Sequence, residues 1–225
     1  MIKHVLIDID NTLLDFDKCA KTAVKEIMRQ FSLPVTENDL EDFIKISDSL
    51  WEQIEKGTIT RPEMYKKRSS TFLSNLGYVA DADLMERLFR EHLKVSKETV
   101  DGAEDLLAYL HSKYTVSAVS NASHDQQSRR LELANLLKYV DNCFTSNQIG
   151  SEKPNAKFFD YCFSALNNPK KEEVILIGDS ITADVVGGKN YGIKTCYFEF
   201  KKPKKTYSEK PDYTVYSLSE VKNIL

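Results

Sequence analysis

The chain opens on an apolar run, Val5-Leu6-Ile7, that breaks off into Asp8-Ile9-Asp10. A short apolar run bounded by acids predicts a buried strand whose end reaches polar surroundings. After Leu14 the pattern changes. Ala20, Ala23, Val24, Ile27, Met28 and Phe31 recur at the i, i+3, i+4, i+7 spacing of one helical face. Pro34 separates this helix from a second, which Thr36 caps, which carries Leu40, Phe43, Ile44, Trp51 and Ile54, and which stops at Gly57. Thr60-Arg61-Pro62-Glu63 has the form of a capping box with proline inside the first turn. Its helix runs to Leu76 and stops at Gly77, and a fourth helix carries Leu84, Leu88 and Leu93. No strand alternation occurs from Asp15 to Val95, which predicts an all-helical insert over 15–95.

From Thr99 helices and strands alternate. Ala103, Leu106, Leu107 and Leu110 form a helical stripe, and Thr115 to Val119 is a β-branched strand ending in Ser120-Asn121. A helix around Leu131 to Leu137 precedes a short strand near Cys143 to Thr145. Pro154 opens a helix with Phe158, Cys162, Ala165 and Leu166 inward. Glu173 to Ile177 is a buried strand ending in Gly178-Asp179-Ser180, a helix closes at Gly192, and Thr195 to Phe198 is a fifth strand. Tyr213 to Tyr216 adds a short one, and Ser217-Leu218-Ser219-Glu220 caps the last helix. This alternation predicts an α/β fold with a doubly wound parallel sheet, built from 1–14 and 96–225. In such sheets ligands bind outside the carboxyl ends of the strands. The insert leaves directly after the first strand, so it is expected over that edge as a lid.

Composition adds exclusions. At 225 residues, 41% hydrophobic and 29% charged, the chain is an ordinary globular protein. A net charge of −3 implies no general affinity for nucleic-acid polymers or anionic membranes. Lys201-Lys202-Pro203-Lys204-Lys205 reads as a solvated loop around a proline. Cys19, Cys143, Cys162 and Cys196 form no CxxC pair and read as buried small hydrophobes in a reducing compartment. No signal peptide opens the chain, and no apolar run approaches the roughly 20 residues of a membrane span. A cytoplasmic protein is expected. GxGxxG after a strand, GxxxxGK[ST] and GxSxG are absent, and the four histidines lack zinc spacing.

The candidate chemistry lies at strand ends. Alternation puts Asp8 and Asp10 on one side of the first strand, where two carboxylates repel unless a hard cation such as Mg²⁺ sits between them. Alone, Asp-Ile-Asp reads as a strand meeting a polar turn. Ser120-Asn121 and Asp179 follow two other strands, and three such coincidences outweigh that reading. Lys153, before Pro154, can meet a bound anion, although a surface lysine is its default reading; Asp184, five residues after Asp179, otherwise reads as favourable helix-start electrostatics.

Four motifs in order, Asp8-Ile9-Asp10-Asn11-Thr12, Ser120-Asn121, Lys153-Pro154 and Gly178-Asp179-Ser180 with Asp184, resemble those of the haloacid dehalogenase-like hydrolase superfamily. The resemblance spans nearly the whole chain and implies a Rossmann-like core with a mobile helical cap. It implies that Asp8 is a nucleophile forming an aspartyl-phosphate, and that Asp10 is the general acid and then base. Asp8, the Asp10 backbone carbonyl and Asp179 would ligate Mg²⁺, with Asp184 in support. Ser120, the Asn121 backbone and Lys153 would hold phosphoryl oxygens, and Thr12 would bond back to the first motif. Asp10 favours a phosphatase over the dehalogenases. Two family glycines are replaced, by Asn11 and Ala122, in loops where small or turn-forming residues still serve.

Ser49-Leu50-Trp51, Gly57-Thr58-Ile59-Thr60 and the run Leu131 to Pro154 are similar to bacterial pyrimidine nucleoside 5′-monophosphate phosphatases. On that reading Trp51 or a cap tyrosine stacks on a base; packing inside the cap is the competing role for Trp51. His124 either faces the site or is an exposed helix-start residue. The expected function is a Mg²⁺-dependent phosphatase of small phosphorylated metabolites. The alternatives are a sugar-phosphate phosphatase, a phosphomutase, or a binding protein that has lost turnover. The intact Asp8, Asp10, Lys153 and Asp179 argue against the last.

Overall fold

Four amphipathic segments between Phe16 and Ser96 form one compact unit, and Met1–Asp15 with Lys97–Leu225 form another. The computed structural model describes residues 1–200 and 209–225, and the Lys201–Lys205 cluster lies outside the described residues. The first unit holds α1 (Phe16–Gln30), α2 (Glu37–Glu55), α3 (Arg61–Asn75) and α4 (Ala82–Lys94). Thr36 caps α2 with a full capping box: its hydroxyl accepts from the Asp39 N–H, and its own N–H donates to the Asp39 carboxylate at 2.8 Å. At α3 the Thr60 N–H donates to Glu63 at 2.7 Å. The stripes of α1, α2, α3 and α4 bury one core around Phe43, which meets Phe72 and Phe89 edge-on with centroids 5.2 and 5.0 Å apart. Arg68 is buried in that core, paired with Glu86, its guanidinium 4.4 Å from the Phe89 ring centre.

In the second unit the run ahead of the acids becomes β1 (His4–Asp8). It is central among the described strands. With β2 (Thr115–Ser120), β3 (Asn142–Thr145), β4 (Val174–Gly178), β5 (Lys194–Phe198) and β6 (Tyr213–Val215), it forms a parallel sheet of order β3-β2-β1-β4-β5-β6. Alternate residues serve opposite faces, and both faces are covered. On one side Val5 and Ile7 share a core with Leu106, Leu107 and Leu110 of α5 (Ala103–His111), and with Leu131 of α6 (His124–Leu133). After β3 come a one-turn α7 (Ser146–Ile149) and then α8 (Ala156–Ala165). Leu6 and Leu176 share the opposite core with Phe158, Phe159 and Cys162 of α8. Tyr191, at the end of α9 (Gly187–Tyr191), stacks on Phe159.

Register brings the strand ends level. Asp8 pairs with Val119 on one side of β1, and Ile7 with Ile177 on the other. The chain runs from β1 outward to β2 and β3, then crosses back to β4. The sheet order therefore reverses beside β1, which is where an open α/β sheet leaves a crevice for ligands.

Three boundaries differ from the sequence expectations. The helix expected near Leu131 to Leu137 is α6, which starts seven residues earlier and ends at Leu133, where Asn135 takes a left-handed φ of 60°. Its first two turns carry no apolar stripe, so periodicity misses them. Pro154 does not open α8: Asn155 is the cap, its side chain accepting from the Lys157 N–H at 2.9 Å. The last helix is a tight 3₁₀ segment, Leu218–Asn223.

Candidate active site

The chain turns sharply after β1. The Leu13 and Leu14 N–H groups donate to the Ile9 carbonyl at 2.9 and 2.8 Å, and the Asn11 N–H to the Leu14 carbonyl at 2.7 Å. Ile9 is buried in the core, which leaves the flanking Asp8 and Asp10 carboxylates to polar partners at the sheet edge. Asn11 has a left-handed φ of 58°, a conformation that asparagine tolerates better than most residues and that explains the glycine expected there.

Asp8 is 8% exposed, and its Oδ1 accepts from Lys153 Nζ at 2.7 Å. The same ammonium donates to Asp184 Oδ1 at 2.7 Å. Asp8, Asp179 and Asp184 each offer a carboxylate oxygen, and these atoms lie within 4.8 Å of one another. One ammonium meets two of these three carboxylates. Burial, and then the neighbouring charges of Asp184 and Asp179, push the Asp8 carboxyl well above its ordinary range despite Lys153. Burial works against the Lys153 ammonium, but Asp184 and Asp8 outweigh it and raise its pKa. A crowded, all-oxygen donor set of this kind fits Mg²⁺, whose charge would relieve the repulsion.

Two local devices hold Asp184 there. It rides on a π-helical turn, Ile181–Val186, a distortion common at functional sites. The Ser180 N–H donates to Asp184 Oδ2 at 3.1 Å, and the Ser180 hydroxyl accepts from the Ala183 N–H at 3.1 Å. The carboxylate lies almost on the Gly178 backbone: a Cβ on Gly178 would stand 2.1 Å from Asp184 Oδ2.

The second motif is tied to the third through Asn121. Its Nδ2 donates to the Lys153 carbonyl at 2.9 Å, and its Oδ1 accepts from the Lys153 N–H at 2.8 Å. This reciprocal clamp fixes the backbone behind the buried ammonium. Ser120, 3% exposed at the end of β2, accepts from the Ala122 N–H at 3.1 Å and from Gln127 Nε2 at 2.8 Å. Gln127 Nε2 also donates to Asp10 Oδ2 at 2.6 Å, and Arg130 Nη1 donates to Asp10 Oδ1 at 2.5 Å. Gln127 and Arg130 are fully buried and were not anticipated. The signal for them is faint: Ser123 followed by Gln126 has the spacing of a capping box, which hints at a helix over that polar stretch.

The structure thus gathers Asp8, Asp10, Ser120, Asn121, Lys153, Asp179 and Asp184 at the carboxyl ends of β1, β2 and β4. The Asp10 carboxylate lies outside the acidic cluster, because Arg130 and Gln127 claim both its oxygens. Asp184, expected as a supporting group, is a full member of that cluster. Thr12 bonds back into the first motif through its N–H, to the Ile9 carbonyl at 3.3 Å, while its buried hydroxyl has no partner among the described residues. His124 is half-buried, its Nε2 3.3 Å from the Ser128 hydroxyl. In the helical unit, Trp51 packs on the cluster of Leu50, Ile54 and Met64.

Residues 5–198 match the model of the haloacid dehalogenase-like hydrolases. The chain belongs to this family. HAD-hydrolase YfnB of Bacillus subtilis is 31% identical over 99% of this chain and 95% of its own. The crystal structure of YfnB bound to magnesium superposes with a TM-score of 0.93, at 30% identity, covering 100% of this chain and 98% of that one. The pyrimidine 5′-nucleotidase PynA of Streptococcus pneumoniae is 29% identical over 99% of this chain and 97% of its own. The pyrimidine 5′-nucleotidase YjjG of Escherichia coli is 28% identical over 98% and 96%. As a haloacid dehalogenase-like hydrolase, the chain carries aspartate at position 10 and an acidic cluster that includes Asp8.

Proposed function

We propose that this hydrolase is a Mg²⁺-dependent phosphomonoesterase acting on nucleoside 5′-monophosphates, with pyrimidine preference. The observation that carries the reaction type is the pairing of buried Asp8 with Lys153 beside Asp179 and Asp184. Similarity to PynA and YjjG over nearly the full chain supports the substrate class. The helical unit takes the part of the cap that chooses the substrate.

The steps follow from the side chains. Lys153 holds one Asp8 oxygen, and the other attacks phosphorus. The phosphorus–oxygen bond to the leaving group breaks as Asp10 donates a proton to that oxygen. Asp10 then takes a proton from water, whose oxygen attacks the aspartyl-phosphate. The Asp8–phosphorus bond breaks, and inorganic phosphate and free Asp8 result. The Ser120 hydroxyl, the Asn121 N–H and the Lys153 ammonium stabilise the phosphoryl oxygens. Mg²⁺ would be held by Asp8, Asp179 and Asp184 with the Asp10 carbonyl, and when bound would offset the charge of the incoming dianion.

Phosphate release from nucleoside monophosphates and sugar phosphates, with Mg²⁺ or with EDTA, tests this. Metal-dependent release that favours pyrimidine monophosphates and vanishes in Asp8→Asn is expected. Turnover by Asp8→Asn at the parent rate would overturn the mechanism. Release from sugar phosphates alone would keep the mechanism and discard the nucleotide.

A further inference from the structure

Arg130 carries five N–H donors and no acceptor, so whatever it meets must offer a lone pair. It meets Gln127 Oε1 at 3.0 Å as well as Asp10. That contact fixes the orientation of the Gln127 amide, because the oxygen must face the guanidinium. Nε2 is then forced toward Asp10 Oδ2 and Ser120 Oγ, at 2.6 and 2.8 Å. The Ser120 hydroxyl accepts from Gln127 on one side and from the Ala122 N–H, at 3.1 Å, on the other. Both its lone pairs are occupied, and its single proton has no acceptor among the described residues. A hydroxyl in that state can act only as a donor.

We propose that Arg130 and Gln127 are positioning residues that set the Asp10 carboxylate and turn Ser120 into an obligate hydrogen-bond donor toward a phosphoryl oxygen. The inference rests on the function proposed above and adds two residues that act through Asp10 and Ser120. Arg130 acts on Asp10 directly and on Ser120 through Gln127, and Gln127 acts on two groups at once. The geometry therefore couples the proton-transfer residue of the β1 loop to the phosphate-holding residue of β2. Both positioning side chains are fully buried on one helix, α6, three residues apart and on the same face.

Gln127→Glu is the decisive variant. It is nearly isosteric, yet it replaces the bridging donor by an acceptor. Ser120 would then spend its proton on residue 127, and Asp10 would lose one donor. The comparison set is the parent, Gln127→Glu, Ser120→Ala, the double variant, Arg130→Lys and Arg130→Met. Steady-state phosphate release would be measured with Mg²⁺, and thermal unfolding would confirm that each variant is folded. We expect Gln127→Glu to lower kcat by ~100-fold, the scale of one acid–base group, with KM changed less than about threefold. In the Ser120→Ala background the same change should cost about tenfold less, because the donor it silences is already gone. Arg130→Lys, which still presents only donors to Oε1, should keep at least about tenfold more kcat than Arg130→Met. If the Gln127→Glu and Ser120→Ala losses multiply, or if kcat of folded Gln127→Glu equals the parent's, the positioning role is wrong while the phosphatase reading stands. A parent that releases no phosphate from any substrate overturns both.

Discussion

At Gly178 a missing side chain does the positioning. The Asp184 carboxylate occupies the space where a Cβ would stand, 2.1 Å away, and backbone at the end of β4 cannot yield to it. Gly178→Ala should therefore displace Asp184 and with it one donor of the acidic cluster. Overpacking of this kind costs ~1–3 kcal/mol, so the Mg²⁺ concentration for half-maximal activation should rise by about tenfold or more. A titration of activity against Mg²⁺ checks this, and an unchanged midpoint would remove Asp184 from the metal set. The acids at the strand ends were legible from the sequence because each lies beside an apolar run. Gln127 and Arg130 were not, because nothing local distinguishes a buried glutamine or arginine from a solvated one. The bond from Thr12 back to the first motif runs through its backbone N–H to the Ile9 carbonyl.

Among the elements, the two units show different balances of charge and packing. Arg68 of α3 and Glu86 of α4 form a buried ion pair in the helical unit, joined by the Ser69 hydroxyl donating to Glu86 at 3.1 Å. Glu86→Ala leaves a buried guanidinium without its partner and should cost ~3–5 kcal/mol of that unit's stability, read by denaturant unfolding. In the sheet unit, Asp212 ties β5 to the segment before β6. Its carboxylate accepts from the Thr195 N–H at 2.9 Å, the Thr195 hydroxyl at 3.0 Å and Lys189 at 3.1 Å. Burial pushes this carboxyl up, but those bonds outweigh it and hold the pKa below its usual value. A depressed folded pKa stabilises the fold above the unfolded carboxylate value. The gain disappears as pH falls through the folded pKa. Asp212→Asn should thus cost about 1 kcal/mol near neutral pH, discounted for partial exposure, and nothing in strong acid. Chemical denaturation at two pH values separates these. Helices α1 to α5 and strands β1 to β5 were legible because their apolar periods are strong. The start of α6 was not, because its inward face is polar.

At the scale of the whole molecule, the four cysteines form no disulfide among the described residues, with Cys19, Cys162 and Cys196 buried. Burial pushes the Cys162 and Cys196 thiols up to about 12, where almost no thiolate exists at neutral pH. Labelling of these two by a thiol reagent should track global unfolding, and rapid labelling of the native protein would contradict their burial. The sequence by itself determined the alternation of strands and helices, the helical insert after β1, and the acids and polar residues that follow separate strands. These are local consequences of side-chain period and turn chemistry. Only the tertiary structure decided the partners. Lys153 meets Asp8 across 145 positions of sequence, and Arg130 meets Asp10 across 120. Such pairs depend on strand order and register, which place β2, β1 and β4 side by side. No periodicity in the chain encodes which buried donor will face which buried acceptor.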